Sequence, residues 1–422
     1  MAGPVIGYVG MTHLGLVSAA AAAAKGFSVV GLDPDKALIE ALRAGDWPVS
    51  EPRLDDLIRE HEDRVAFSTD PTKLRACDLI YVAPDVATDE GGRSDLAGVD
   101  RLFDSTLEFA ADETPIVILS QVPPGYTRRR APDGRAVYYQ VETLVFGQAV
   151  ARALEPERFI VGAPSAETVL PASYRSFLDS FDCPQLVMRY ESAELAKIAI
   201  NCFLAASIST ANTLAELCER IGADWSEIMP ALRLDARIGP HAYITPGLGV
   251  AGGNLERDLA SVRRMTEAHG TDGGVVLSWT ENSAYRKDWP YRVLQDAILR
   301  DNPSARIAIL GLAYKENTNS TRNAPSLALI ARLSRAKITV YDPVVREGVP
   351  SRVTVAADAL TAVRGADAVA ITTPWDAFRE LAPVDLATAM RGRLIVDPFR
   401  VLDGSAVTAA GLDYRALGVP EL

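Results

Sequence analysis

Cysteine is scarce in this chain: four in 422 residues, at Cys77, Cys183, Cys202 and Cys218, with no CxxC pair. That spacing excludes a disulfide framework and a cysteine-built zinc site, and it favours a cytoplasmic chain with reduced thiols. Histidine is equally rare, and its four copies show neither HxxxH nor HExxH spacing, so no metal is expected. Long apolar runs are missing too. Residues 17–24 form the longest small-apolar stretch, far short of the ~20 residues that span a bilayer. The N-terminal MAGPVIGYVG has no basic region before its apolar part, so no signal peptide is read there. Positive charge is in deficit, with a formal net charge of -12. Neither nucleic acid nor an anionic membrane is therefore an expected partner, although a small anionic ligand needs only a local basic pocket.

What is present is ordinary globular material. Hydrophobic residues make up 48% and charged residues 23%, enough for large cores, and the length suggests two to four domains. The first part alternates β-rich runs with helical stretches: PVIGYV, a helix over about 16–25, FSVVGLD, CDLIYVA, PIVILS and RFIVGAP. That rhythm predicts right-handed βαβ units and a parallel, doubly wound sheet. From 192 to about 221 apolar positions recur at helical spacing with no Gly or Pro, which predicts one long helix. More helix follows to about 300, broken by a loop over 236–254. Then RIAILGLAY, a helix over 326–336, KITVYD, ADAVAITT and RLIVDP restore the βαβ pattern. VVGLDP resembles ITVYDP, and ACDLIYVA resembles GADAVAIT. The expected fold class is α/β, with two Rossmann-like doubly wound domains (1–190 and 301–422) joined by a central long-helix domain (191–300).

The first βα turn is Gly10-Met11-Thr12-His13-Leu14-Gly15, with Asp33 ending the next strand. In that context the pattern is a dinucleotide fingerprint. The first Gly makes the turn, the last lets helix and strand pack, the pyrophosphate meets the helix N-terminus, and Asp33 meets the adenosine ribose, favouring NAD. Thr12 replaces the middle Gly, where backbone approaches pyrophosphate. Lys197 and Asn201 lie four apart and share one helix face. Read alone, Lys197 is a snorkelling lysine or a cation held over a reacting oxygen. Asp258 and Arg257 follow the small-residue loop PGLGVAGGNLERDL, as helix-start charges or as working groups. Glu142 is an exposed strand-end acid or a site carboxylate. In SQVPPGYTRRR the Pro-Pro-Gly turn places Gln121 at a strand's C-terminal edge, where ligands bind in open α/β sheets.

Taken together, GMTHLG with Asp33, SQVPPGYT, Glu142 before LEPERFIVG, AELAKIAINCFLA, ARIG, PGLGVAGGNLERDL, and GLAYKENTNSTRNAP before YDP resemble the UDP-glucose/GDP-mannose dehydrogenase family nearly end to end. The resemblance implies an N-terminal NAD domain, a long helix that also makes a homodimer, and a C-terminal nucleotide-sugar domain. It implies that Gly10, Thr12, His13, Leu14, Gly15, Asp33, Gln121 and Arg322 bind NAD. Lys197, Asn201 and Asp258 would surround the reacting sugar carbon, with Glu142 as the first acid of an acid-rich segment. Arg237, Gly249, Gly252 and Lys315 would line the nucleotide-sugar side.

The departures concern chemistry. The family's nucleophilic cysteine is Asn254 here, the lysine after it is Arg257, the threonine before VPPG is Gln121, and the second acid of the acid-rich segment is Phe146. The acidic pair in the third domain is eroded to Ser320 and Asn323. In the family, a thiolate captures the intermediate aldehyde before the second oxidation. An asparagine amide is no comparable nucleophile, and Cys202 points about 100° around the helix from Asn201. The expected reaction is therefore a two-electron oxidation of a nucleotide-linked sugar alcohol to the aldehyde, not to the acid. The alternatives are a redox-neutral epimerase or dehydratase with tightly bound NAD, and an inactive nucleotide-sugar or NAD binder. Retention of Lys197, Asn201 and Asp258 on separate segments argues against the last.

Overall fold

The computed structural model describes residues 3–49, 51–89 and 91–420. The chain divides into two compact units, 1–200 and 201–422. The division falls inside one helix, Tyr190–Ile221.

The first unit is built on an eight-stranded sheet. Its strands are β1 (Val5–Val9), β2 (Ser28–Leu32), β3 (Val65–Ser68), β4 (Leu79–Val82), β5 (Ile116–Ile118), β6 (Val137–Gln140), β7 (Phe159–Ala163) and β8 (Gln185–Arg189), in the order β3-β2-β1-β4-β5-β6-β7-β8. β1, β4, β5 and β6 are almost wholly buried, which is why these strands read as continuous apolar runs without alternation. The strand order reverses between β1 and β4, creating the crevice where such sheets hold ligands. The fully parallel sheet expected from the sequence needs correcting at its far edge. β7 runs antiparallel to β6, and β8 pairs parallel with β7. β3 and β8 were not legible as strands, since VAFS and QLVMR are short and lack a clear period. The first helix spans His13–Ala24, three residues earlier than its alanine run suggests.

The second unit begins with the rest of the long helix and continues through Trp225–Leu234, Asn254–His269 and Gly274–Lys287. Its sheet contains β9 (Arg306–Leu310), β10 (Lys337–Tyr341), β11 (Thr354–Val355), β12 (Ala368–Ile371), β13 (Leu394–Val396) and β14 (Asp413–Arg415), all parallel, in the order β11-β10-β9-β12-β13-β14. The sequence echoes have a structural counterpart: VVGLDP and ITVYDP are the second strands of the two sheets, and the other pair are the fourth. The helix after β9 runs Pro325–Arg332, shorter than expected, because Leu333 leaves helical geometry.

By length and mean hydropathy (1.4), Tyr190–Ile221 is a helix that could cross a bilayer. Its polar side chains have partners within the protein, however. Glu194 is fully buried against backbone amides, and Lys197 is held in an ion pair.

Candidate functional site

The N-terminal unit presents a dinucleotide turn at the β1/β4 crevice. Gly10 has φ +98°, and a side chain there would meet the Pro84 nitrogen at 2.7 Å. A Cβ on Gly15 would fall 1.9 Å from the Gly10 carbonyl oxygen, so only glycine lets the helix start this close to the strand. Asp33, almost buried, accepts the Met11 N–H (2.9 Å) and the Asp35 N–H (3.0 Å) and so pins the turn. Asp342 does the same job at the end of β10, accepting the Leu312 and Ala313 N–H groups, but it is fully enclosed and also takes the Trp375 indole N–H. Asp33 therefore retains access that Asp342 has lost.

The turn's other residues are committed in ways the sequence did not show. The Thr12 hydroxyl accepts the Asp85 N–H (2.7 Å), and the Asp85 carboxylate accepts the His13 N–H (2.9 Å). The His13 ring is buried, lies 3.0 Å from Glu51 and stacks on Phe146 with ring centroids 4.3 Å apart. Leu14 is a core side chain, leaving only its backbone to face a ligand. Glu51 also accepts the Gly147 and Ala149 N–H groups. The cofactor turn is thereby tied to the segment that follows Glu142. Gln121 lies three residues beyond β5 and is half-buried.

Glu142 and Lys197 form one site pair. The Lys197 ammonium lies 2.8 Å from Glu142 Oε1 and donates to the Glu142 carbonyl at 3.1 Å, while Glu142 Oε2 accepts the Leu144 N–H. Both side chains are over four-fifths buried, at 13% and 17% exposure. Lys197 is thus no snorkelling lysine, and Glu142 is no exposed acid. One turn earlier on the long helix, Glu194 accepts the Gly125 and Thr127 N–H groups, bracing the PPGYT turn that carries Gln121. Burial pushes its carboxyl above the usual range, although those amides oppose the shift.

The second unit contains the other pair. Asn201 donates to Asp258 Oδ2 (2.5 Å), and Arg257 donates to Oδ1 (3.1 Å); all three are buried. Asn254 is exposed and is the first residue of helix Asn254–His269, whose N-cap, Gly253, has no side chain to offer. The Cys202 thiol is pushed above its ordinary range by burial and then by the nearby Asp258 carboxylate. Such a shift makes it a poorer nucleophile than a free thiol.

The loop glycines admit protein before they admit any ligand. A Cβ on Gly249 (φ +77°) would lie 2.5 Å from the Ser283 carbonyl oxygen, and one on Gly252 (φ +89°) 2.9 Å from the Tyr314 ring. The Gly252 N–H donates to the Arg322 carbonyl, and Glu256 is held by Lys287 (2.6 Å) and Asn323. Lys315 lies over the Tyr314 ring, and Arg322 is exposed. Arg237 is exposed and paired with Asp235 at 2.6 Å, and is not drawn to the other candidates. Gly249 does border a cavity of about 460 Å³, shared with Arg233, His241, Tyr243, Thr245 and Gly247. Among the described residues, no group of three or more His, Cys, Asp or Glu is placed to hold a metal.

Family models match the chain in three consecutive blocks: the NAD binding domain of the UDP-glucose/GDP-mannose dehydrogenase family over residues 5–178, its central domain over 191–283, and its UDP binding domain over 308–404. The chain belongs to the UDP-glucose/GDP-mannose dehydrogenase family. It is 30% identical to UDP-glucose 6-dehydrogenase TuaD of Bacillus subtilis, over 98% of this chain and 93% of that one. It is likewise 30% identical to UDP-glucose 6-dehydrogenase of Pseudomonas aeruginosa, over 98% and 97%. A solved UDP-glucose dehydrogenase from Pyrobaculum islandicum superposes with a TM-score of 0.83 at 27% identity, covering 96% of this chain and 98% of that one. The family is one of NAD-dependent nucleotide-sugar dehydrogenases, and NAD is the cofactor. The turn fits it: the Gly10 and Gly15 positions tolerate no side chain, and Asp33 stands at the end of β2, where the ribose is expected.

Sequence reasoning missed Asp85, Glu51 and Glu194. Asp85 had a usable signal, because it lies two residues beyond the run CDLIYVA and so emerges at a strand end in the ligand crevice. Glu51 and Glu194 had none.

Proposed function

We propose that this dehydrogenase performs a single two-electron oxidation, taking a primary alcohol of a nucleotide-linked sugar to the aldehyde and releasing NADH and a proton. Bound NAD supplies the hydride acceptor. The Lys197 ammonium stabilises the developing alkoxide, and Glu142, hydrogen-bonded to it, receives the hydroxyl proton. Asn201 holds Asp258 as a second polar pair, available to an oxygen of the substrate or to a water. Gln121 and Arg322 are assigned to the cofactor, and Arg237, Gly249, Gly252 and Lys315 to the nucleotide sugar.

The observation carrying this reading is Asn254 at the start of its helix, with the Cys202 thiol disfavoured as a thiolate by its burial and by Asp258. The second oxidation needs a nucleophile to capture the aldehyde, and neither residue supplies one. The relatives' substrate, UDP-glucose, and the match to a UDP binding domain favour a UDP-sugar. We read residues 1–190 as the NAD domain, 191–300 as the dimerisation domain of a homodimer, and 301–422 as the nucleotide domain. A cytoplasmic location accords with NAD use and with four free cysteines.

The test is incubation with NAD and a panel of UDP- and GDP-sugars, with products identified by mass. One NADH per aldehyde is expected. An acid product with two NADH would refute the single-step reading. Full turnover by Lys197→Met would remove that residue from the chemistry.

A further inference from the structure

The seat that the first helix offers to a dinucleotide pyrophosphate is already contested by an acid of this chain. Asp85 follows β4 by three residues, and β4 lies beside β1, so Asp85 leaves the sheet next to Gly10. Its Oδ2 accepts the N–H of His13, the first residue of the helix, and its own N–H is fixed on the Thr12 hydroxyl. A bound pyrophosphate needs such helix-start amides and brings two negative charges to them. Asp85 opposes it in both respects, by accepting the amide and by like-charge repulsion. Thr12 adds to the effect, since its side chain stands where a glycine would leave the backbone bare. Among the described residues no Lys or Arg pairs with Asp85. The other acids at this turn, Asp33 and Glu51, are held by the Met11 amide and the His13 ring.

We propose that Asp85 is a built-in competitor for the cofactor pyrophosphate, which keeps NAD loosely held and exchangeable between turnovers. The exchangeable cofactor is what a dehydrogenase that releases NADH requires, and it is the opposite of the tightly retained NAD of a redox-neutral enzyme. The inference rests on NAD binding at this turn and not on the fate of the aldehyde.

Calorimetric titration of the full chain with ADP-ribose, which carries the pyrophosphate without the reactive ring, separates the two questions. Asp85→Asn keeps an acceptor for the His13 N–H and removes the charge. At low salt the variant is expected to bind ADP-ribose about tenfold or more tightly than wild type. The gap should shrink between about 0.01 M and about 1 M salt, as screening shortens from roughly 30 to 3 Å. Adenosine, which lacks the pyrophosphate, should bind both proteins alike. Equal or weaker ADP-ribose binding by a folded Asp85→Asn, or by Asp85→Ser should the first variant not fold, overturns the proposal. So does wild-type protein that retains stoichiometric NAD(H) through purification.

Discussion

Asn254 and Cys202 illustrate how much the chemistry of this enzyme depends on single side chains. Asn254 is exposed at a helix start, and in the proposed reading it stands where the family's nucleophilic cysteine is expected. Asn254→Cys puts a thiol at a helix N-terminus, an environment that lowers thiol pKa values. The variant is expected to yield some acid product and more than one NADH per sugar, measured by mass and NADH absorbance; aldehyde alone would mean that other departures also block the second step. Cys202 behaves oppositely. A thiol whose pKa is raised by burial and by a neighbouring carboxylate carries less thiolate at any given pH than a free thiol, and its reactivity grows only as the pH climbs. Iodoacetamide labelling, followed by peptide mass mapping, should therefore modify Cys202 more slowly in native than in denatured protein at the same pH, and faster as the pH is raised. Rapid labelling at neutral pH would reopen it as a nucleophile.

At the scale of elements, the 245–253 loop is a packed strut. Its glycines were read from the sequence as room for a ligand, whereas Gly249 abuts Ser283, Gly252 abuts Tyr314, and Gly253 abuts Arg322. Gly249→Ala combines a left-handed φ with a collision against backbone, so a destabilisation of about 1–3 kcal/mol is expected. Differential scanning calorimetry should show a lowering of Tm by several degrees. Gly98→Ala is the control, in helix Ala97–Phe109 with nothing within 4 Å of its added methyl, and it should leave Tm unchanged or slightly raised. A similar strut links the first helix to the 146–149 segment through Glu51. Here Phe146 stacks on His13.

For the molecule as a whole, the exposed side of the long helix points to self-association. Phe203, Leu214, Leu217 and Ile221 recur at intervals that return to one face at 3.6 residues per turn, and Phe203 is 77% exposed. Phe203→Asp with Leu217→Lys is expected to convert a dimer to a monomer by light scattering, with each sheet still folded by circular dichroism. An unchanged dimer would place the interface elsewhere.

The α/β class, the doubled Rossmann pattern, the long helix and the cofactor turn were all legible in the sequence. These depend on local periodicity, on turn residues and on residue type. The antiparallel edge, the Lys197–Glu142 pair, the Asn201–Asp258 pair and the Asp85 contact with the cofactor turn were not. Each joins positions far apart in the chain: 57 residues for Asn201 and Asp258, 72 for His13 and Asp85, and 96 for Gly147 and Glu51. Such contacts depend on which strands lie side by side and on which polar groups burial forces together, and that is decided only when the chain has packed.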